Sequence, residues 1–397
     1  VTFLHDAGAY GAGVIVPWIT STTIPGPYKI PNFYVQARLV YTNKTPASVV
    51  RGAGRPEAVF VMERMVERIA QTLGMDRAEV RKRNMIQPQE QPYDAGLIFR
   101  DNRPMIYDGG DYPAALSRAL DLAGYASFEE YRAQAAGEGR LVGLGMAAYV
   151  EGTGLGPFEG ATVRLESDGK VVVFVGTLPQ GQGHHTVFSQ ICADQLGVSL
   201  DDVLILTGDT AALPKGIGTF GSRSTVVGGS AVHLAAGQVR ERVVQTAAGL
   251  LRVHAGQLDI AGGEVYVKDE PDRRLPLRAV AQAVLSGGFG YASDVEGDPV
   301  IEATVYFRPD KASYSCGAAA AIVEADPETG FCRVERYVTV DDSAKSVNPA
   351  IVHAQIVGGV AHGIGNAMYE EVRYDELGQP INASFMDYLL PTAMEVP

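Results

Sequence analysis

Residues 32–44, NFYVQARLVYTNK, alternate apolar and polar side chains, the period-two pattern of a strand with one buried face. The period then lengthens. Between Glu57 and Gly74, Ala58, Phe60, Val61, Met65, Ile69 and Leu73 fall on roughly one stripe, which predicts a helix burying that stripe and closed by Gly74. YPAALSRALDLAG predicts another helix, with proline in its first turn and glycine just past its end. The first segment ends near Gly124, and the polar stretch YRAQAAGEGR, residues 131–140, is the best boundary candidate. From Leu141 the texture changes to strands, GLGMAAYV, ATVRLES, KVVVFVGT and VLILTGD, parted by glycine turns. A long helix is predicted from Gly228 to Ala255. CRVERYVTVDDSA restarts the strand texture, and AIVHAQIVGGVAHGIGNAMYEE spaces small residues as on a tightly packed helix. Strands mixed with long helices, without a regular βαβ beat, predict an α+β fold, with two domains at 1–135 and 136–397.

Composition narrows the function classes. The chain has 397 residues, 46% of them hydrophobic and 20% charged, enough for two cores. Its formal net charge of −13 argues against nucleic acid as a partner, because displacing counterions from a phosphate backbone needs a basic surface. Three scattered cysteines, Cys192, Cys316 and Cys332, without CxxC spacing encode no disulfide scaffold, zinc ribbon or iron–sulfur cluster. No run approaches the roughly 20 apolar residues of a membrane-spanning helix, and the first residues lack signal-peptide character, so a cytoplasmic protein is expected. Position 1 is not methionine and the last residues read LLPTAMEVP, so both ends are expected to have been cut from something longer.

The glycine-rich stretches carry the candidate chemistry. After the strand KVVVFVGT, the residues Gln180, Gly181, Gln182 and Gly183 lead into a helical pattern. A strand, a loop with two residues free of Cβ and a helix start together present open N–H donors and a partial positive charge, suited to a phosphate or a polar heterocycle. A plain tight turn is the other reading of this stretch. His184 and His185 are adjacent, so they point in different directions, and no neighbouring acid or cysteine completes a zinc set. A second loop, GDTAALPKGIGTFGSRSTVV, interleaves Gly216, Gly218 and Gly221 with Thr219, Ser222, Ser224 and Thr225 ahead of the longest helix. Its hydroxyls either contact a ligand or cap that helix. Neither loop has the Walker pattern or a GxGxxG opening a βαβ unit, and no GxSxG hydrolase motif stands out. Two anion-suited loops point to a long, phosphate-bearing ligand held at several places. In YTNKTPASVVRGAGRPEAVF, Arg51 and Arg55 flank small residues before a helix start, where a guanidinium fork can reach an oxyanion. Gln355 sets an amide on an otherwise small and apolar helical face, where burial would demand a partner.

Taken in order, YKIPN, TNK…RGAGRPEA, QGQGH, GTFGSRST and DDSAKSVNPAIVHAQIVGGVAHGIG resemble the molybdopterin-binding large subunit of the xanthine dehydrogenase and aldehyde oxidase family, closest to its carbon monoxide dehydrogenase-like branch. The resemblance covers essentially the whole chain. It implies two mixed α/β molybdopterin-binding domains with the cofactor between them, the first lacking its start and the second its end. The implied cofactor is a molybdenum-pterin, in bacterial members usually the cytosine dinucleotide, with the metal held by the pterin dithiolene and not by protein ligands. By position, Gln180 to Gly183 resemble the loop against the pterin and metal ligands; Thr219, Phe220, Gly221, Ser222 and Ser224 resemble the loop holding the pterin and its phosphate. Gln355 resembles a pterin-bonding glutamine, and Arg51 the arginine of the loop beside the metal. Gly52, Ala53, Tyr149, Glu151 and Phe158 fall where relatives contact substrate.

Departures from the family pattern restrict the substrate. The copper-linked cysteine of carbon monoxide dehydrogenases is replaced by Gly52, and the purine-stacking phenylalanine of xanthine enzymes by Ala53. The purine-orienting arginine falls near Ile19, in PWITSTT, where no arginine stands. An aldehyde or N-heteroaromatic substrate, hydroxylated with water as the oxygen source, is what the resemblance leaves. The family's glutamate base lies downstream of FMDYLLPTA, beyond Pro397, and Glu395 is no substitute by position, so no catalytic residue is assigned. Electrons would leave through a small 2Fe–2S subunit to an FAD subunit, in a dimer of heterotrimers. The competing class is a cofactor-binding or assembly protein of the same fold that does no chemistry.

Overall fold

The computed structural model describes Thr2, residues 4–285 and residues 298–397. In chain order the first part holds α1 (Ile15–Thr23), α2 (Arg55–Leu73), α3 (Arg77–Asn84), β1 (Tyr93–Ile98), β2 (Pro104–Tyr107), α4 (Tyr112–Ala123), α5 (Phe128–Gly137) and β3 (Leu141–Thr153). Then come β4 (Glu159–Leu165), β5 (Val171–Val175), α6 (His184–Leu196), β6 (Val203–Thr207), α7 (Gly229–Leu251), β7 (Leu258–Ala261), β8 (Glu264–Val267), β9 (Glu270–Pro276), α8 (Leu277–Leu285) and β10 (Ile301–Phe307). The chain ends with β11 (Ser313–Ala325), β12 (Cys332–Asp342) and α9 (Pro349–Met368). Strands and helices are mixed, as the α+β reading expects. The chain forms two compact units. One comprises residues 1–152, 313–346 and 352–397; the other, residues 153–312 and 347–351.

Local signals account for the limits of several helices. The Asp111 carboxylate caps α4 by accepting from the Ala114 amide at 2.9 Å, and Gly124 closes that helix in the left-handed conformation. Asp76 caps α3 in the same way, through the Glu79 amide at 2.8 Å. Gly74 ends α2 as expected, with φ +59°.

Packing departs from the sequence reading in three places. Residues 32–44 form no strand: they are mostly exposed, and Val40 makes only an isolated bridge to Asp6. Alternation supplies a face but not a ladder partner. YRAQAAGEGR is largely helix α5 rather than a linker. In α2 the buried face is not the apolar stripe. Ala58, Val66 and Ala70 point inward together with Glu63 and Glu67, whereas Phe60 is 64% exposed and Leu73 61%. The two carboxylates go inside because Arg81 of α3, 1% exposed, meets them there, at 2.7 Å from Glu63 and 3.3 Å from Glu67. Glu63 also accepts from the Tyr28 hydroxyl at 2.6 Å and from the Ala148 amide of β3 at 3.0 Å.

The second unit is built on a four-stranded sheet in the order β10-β4-β5-β6. Three strands run antiparallel, but β5 and β6 are parallel, Val173 facing Ile205, and α6 crosses between them. Among the described residues, this βαβ unit is the one place where a helix joins two parallel neighbouring strands. Helix α7 lies on this sheet through Ala231, Ala235, Val239, Val243 and Ala247, whose small side chains admit close approach. The first unit contains a three-stranded sheet, β12-β11-β3, against which α4 packs.

Candidate cofactor site

In the second unit, both glycine-rich loops leave the same edge of the sheet. One follows the carboxyl end of β5 and the other that of β6, and because these strands are parallel neighbours the loops emerge side by side. Crevices outside the carboxyl ends of such strands are where open α/β sheets take ligands. The loops are tied together: the Thr219 hydroxyl donates to the Leu178 carbonyl at 2.6 Å, and Ser224 reaches the Thr219 hydroxyl at 3.4 Å. Gly181 and Gly183 both have positive φ, +94° and +76°. A Cβ on Gly183 would stand 2.6 Å from Ile351, so that position tolerates glycine alone without a shift. The Gln180 amide turns inward onto the Gln182 side chain. Among the described residues, the amides of Gly181, Gln182 and Gly183 and those of Thr219, Phe220 and Gly221 have no protein acceptor. The first α6 bond runs from Val187 to Gly183, which leaves the earlier first-turn donors open too. Two adjacent runs of open amides, with glycine at 181, 183 and 221, fit a phosphate-bearing ligand.

A buried ion pair that the sequence reading missed shapes the second loop. Glu159 and Arg223 are 2.6 Å apart, with both side chains fully buried. Glu159 also accepts from the amides of Ile217, at 3.3 Å, and Gly218, at 3.2 Å. Arg223 donates to the carbonyls of Leu155, Gly218 and Phe158. The only sequence signal was two charges of opposite sign set in glycine-rich, otherwise uncharged stretches, FEG and GSRS. No capping side chain opens α7: Ser224 begins a single π-turn, Ser224–Gly228, and the expected hydroxyl cap is absent there. Ser222 is left-handed, with φ +54°, and Phe220 is half exposed with the Arg223 guanidinium over its ring. His184 is 4% exposed and packs on Phe188, its Nδ1 without a partner. Burial, with the neighbouring His185, lowers its pKa. Phe158 meets Tyr306 edge-on at 5.8 Å.

In the first unit, Gly52, Ala53 and Gly54 are all left-handed, with φ +100°, +50° and +98°. A Cβ at Gly54 would lie 2.4 Å from the Val16 carbonyl, so α1 and the loop meet only because the residue is glycine. This turn brings Arg51 to α9, where its Nη2 donates to the Gln355 carbonyl at 2.8 Å. Gly358 and Gly359 make room for that guanidinium; a Cβ on Gly359 would stand 3.2 Å from it. Gln355 is exposed, so its amide faces solvent and does not require the internal partner that burial would have demanded. Arg55 is buried instead, bonded to the Gly152 carbonyl and 3.6 Å from Glu151. Tyr149 bonds Asp341, which also accepts from Thr339 at 2.8 Å, and burial with that carboxylate raises its pKa.

The molybdopterin cofactor-binding domain profile matches in two parts, residues 1–85 and residues 118–397, so the chain belongs to the molybdopterin cofactor-binding family. It is 37% identical over 392 residues to the carbon monoxide dehydrogenase large chain of Afipia carboxidovorans, covering 94% of this chain and 47% of that one. It is 34% identical over 395 residues to the 6-hydroxypseudooxynicotine dehydrogenase complex subunit gamma of Paenarthrobacter nicotinovorans, covering 99% and 49%. The crystal structure of quinoline 2-oxidoreductase from Pseudomonas putida 86 superposes with a TM-score of 0.88 at 34% identity, covering 99% of this chain and 51% of that one. More particularly, then, the chain is of the xanthine dehydrogenase family, in its carbon monoxide dehydrogenase-like branch. The chain spans about half the length of the curated relatives it matches.

Proposed function

We propose that the chain is the cofactor-holding part of a molybdenum-dependent hydroxylase that oxidises an aldehyde or N-heteroaromatic compound with water as the oxygen source. The observation that carries this reading is the pair of open-amide loops at the carboxyl ends of β5 and β6, joined by the bond from Thr219 to Leu178. Gln180 to Gly183 and Thr219 to Ser222, with Ser224, would hold a molybdenum-pterin through backbone amides and hydroxyls, which suits the anionic cytosine dinucleotide form. By the family resemblance Arg51 and Gln355 would also contact the cofactor, and Gly52, Ala53, Tyr149, Glu151 and Phe158 would contact the substrate. Bound there, the cofactor supplies a two-electron redox centre; the residues of this chain bind and orient it. The glycine at position 52 and alanine at 53 support a substrate other than carbon monoxide or xanthine. The assembly we infer adds a 2Fe–2S subunit and an FAD subunit, as a cytoplasmic dimer of heterotrimers, with family domains at 1–135 and 136–397. Among the described residues no helix is long and apolar enough to cross a membrane.

The test is molybdenum and released-pterin analysis of the full-length protein after expression with molybdate, followed by turnover on aldehydes and N-heterocycles with an artificial electron acceptor. Absence of both metal and pterin refutes the reading. Cofactor bound without turnover on any of these compounds points instead to a holding or assembly protein.

A further inference from the structure

We propose that the Glu159–Arg223 pair is the positioning device of the cofactor loops, holding them in their binding shape before any ligand arrives. The inference rests on the cofactor reading above and assigns a task to two fully buried side chains. Glu159 Oε1 accepts from Gly160 at 3.2 Å and Ile217 at 3.3 Å, while Oε2 accepts from Gly218 at 3.2 Å and from Arg223 Nη1 at 2.6 Å. Arg223 spends its remaining donors on the carbonyls of Leu155 at 2.8 Å, Phe158 at 2.5 Å and Gly218 at 2.5 Å. Gly218 is therefore clamped at both its N–H and its C=O. The next residue, Thr219, carries the hydroxyl that fixes Leu178, so the shape set by the pair in the second loop passes to the start of the first. Space is reserved for the carboxylate as well: a Cβ on Gly176 would stand 2.1 Å from Glu159 Oε1, and one on Gly216 at 3.0 Å.

Stability alone does not explain such a pair. Taking two charges out of water offsets most of their attraction, and well-packed apolar replacements of buried ion pairs are often neutral or stabilising. What an apolar pair does not reproduce is five bonds to the backbone of residues 155, 158, 217 and 218. Those bonds fix the backbone at Ile217 and Gly218, immediately ahead of the open amides of Thr219 to Gly221.

The experiment compares the full-length protein with its Glu159→Met/Arg223→Met double variant, each prepared with and without cofactor loading. Thermal melting, amide hydrogen exchange and molybdenum and pterin content are measured on both. The expected result is a melting temperature close to wild type, faster exchange at Ile217 and Gly218, and a cofactor content down by about tenfold or more, the scale of losing one or two charge-assisted hydrogen bonds. A folded double variant with wild-type exchange and wild-type cofactor content overturns the proposal. Wild-type protein prepared without cofactor provides a check that needs no variant: Ile217 and Gly218 must already be protected, and free exchange there overturns the proposal even if the double variant fails to fold. Protected amides in a wild-type protein that never takes up pterin refute the cofactor reading and leave the hold on the loop standing.

Discussion

Replacing Glu63 by glutamine removes one negative charge from a closed network and nearly preserves volume. Glu63 is 6% exposed; its two oxygens accept from Tyr28, Arg81 and Ala148, at 2.6, 2.7 and 3.0 Å. An amide in its place keeps a single acceptor oxygen, so one side of the network meets an NH2 group that cannot accept. Arg81, 1% exposed, then loses its shortest partner and keeps Glu67 at 3.3 Å. Breaking a buried pair by removing one partner costs about 3–5 kcal/mol, and the surviving Glu67 contact puts the expectation at the lower end, about 3 kcal/mol. For a unit of this size about 2–4 °C accompanies each kcal/mol, so the first unit should melt roughly 6–12 °C lower. Urea and thermal denaturation followed by circular dichroism measure the loss. Tyr28→Phe serves as the second arm of a double-mutant cycle, because the two changes share a hydrogen bond and must be non-additive. A Glu63→Gln loss below about 1 kcal/mol, or additivity with Tyr28→Phe, would refute the view that this network joins α2, α3 and β3.

Gly176→Ala drives a Cβ to 2.1 Å from Glu159 Oε1 and 2.8 Å from Gly216 Cα, so a loss of about 3 kcal/mol or more is expected in denaturation, whereas Gly181→Ala, with open space but φ +94°, should cost only about 1–2 kcal/mol. Burial pushes the Cys192 and Cys316 thiols up to about 12, so an Ellman titration of the native chain at pH 8 should find Cys332 alone reactive, and three fast equivalents would contradict the packing. Tyr28, Tyr107, Tyr112 and Tyr149 all have pKa values raised above 10.0, chiefly by burial. In each the folded state keeps the proton longer than the unfolded state. Stability should therefore be level below pH 10 and fall as pH rises above it; a flat profile from pH 9 to 12 would count against their burial.

What the sequence determined by itself is local or ordered along the chain. The ends of α2 and α4 were legible because proline and glycine act within a turn, through first-turn geometry and left-handed closures that need no distant partner. The two glycine-rich loops were legible because a strand, a run interleaved with glycines and a helix start imply open amides whatever surrounds them. The order of the five motifs carried the family resemblance. Tertiary structure alone decided where burial falls. Phe60 and Leu73 lie outside and Glu63 inside because Arg81 comes in from another helix, and no periodicity within α2 encodes that neighbour. Residues 32–44 alternate like a strand but lack a ladder to join. Glu159 and Arg223 stand 64 positions apart, so their pairing exists only once β4 and the loop after β6 meet. The parallel setting of β5 beside β6, which puts both loops at one edge, is likewise a property of the assembled sheet, since each strand's own sequence states its apolar faces and not its neighbour.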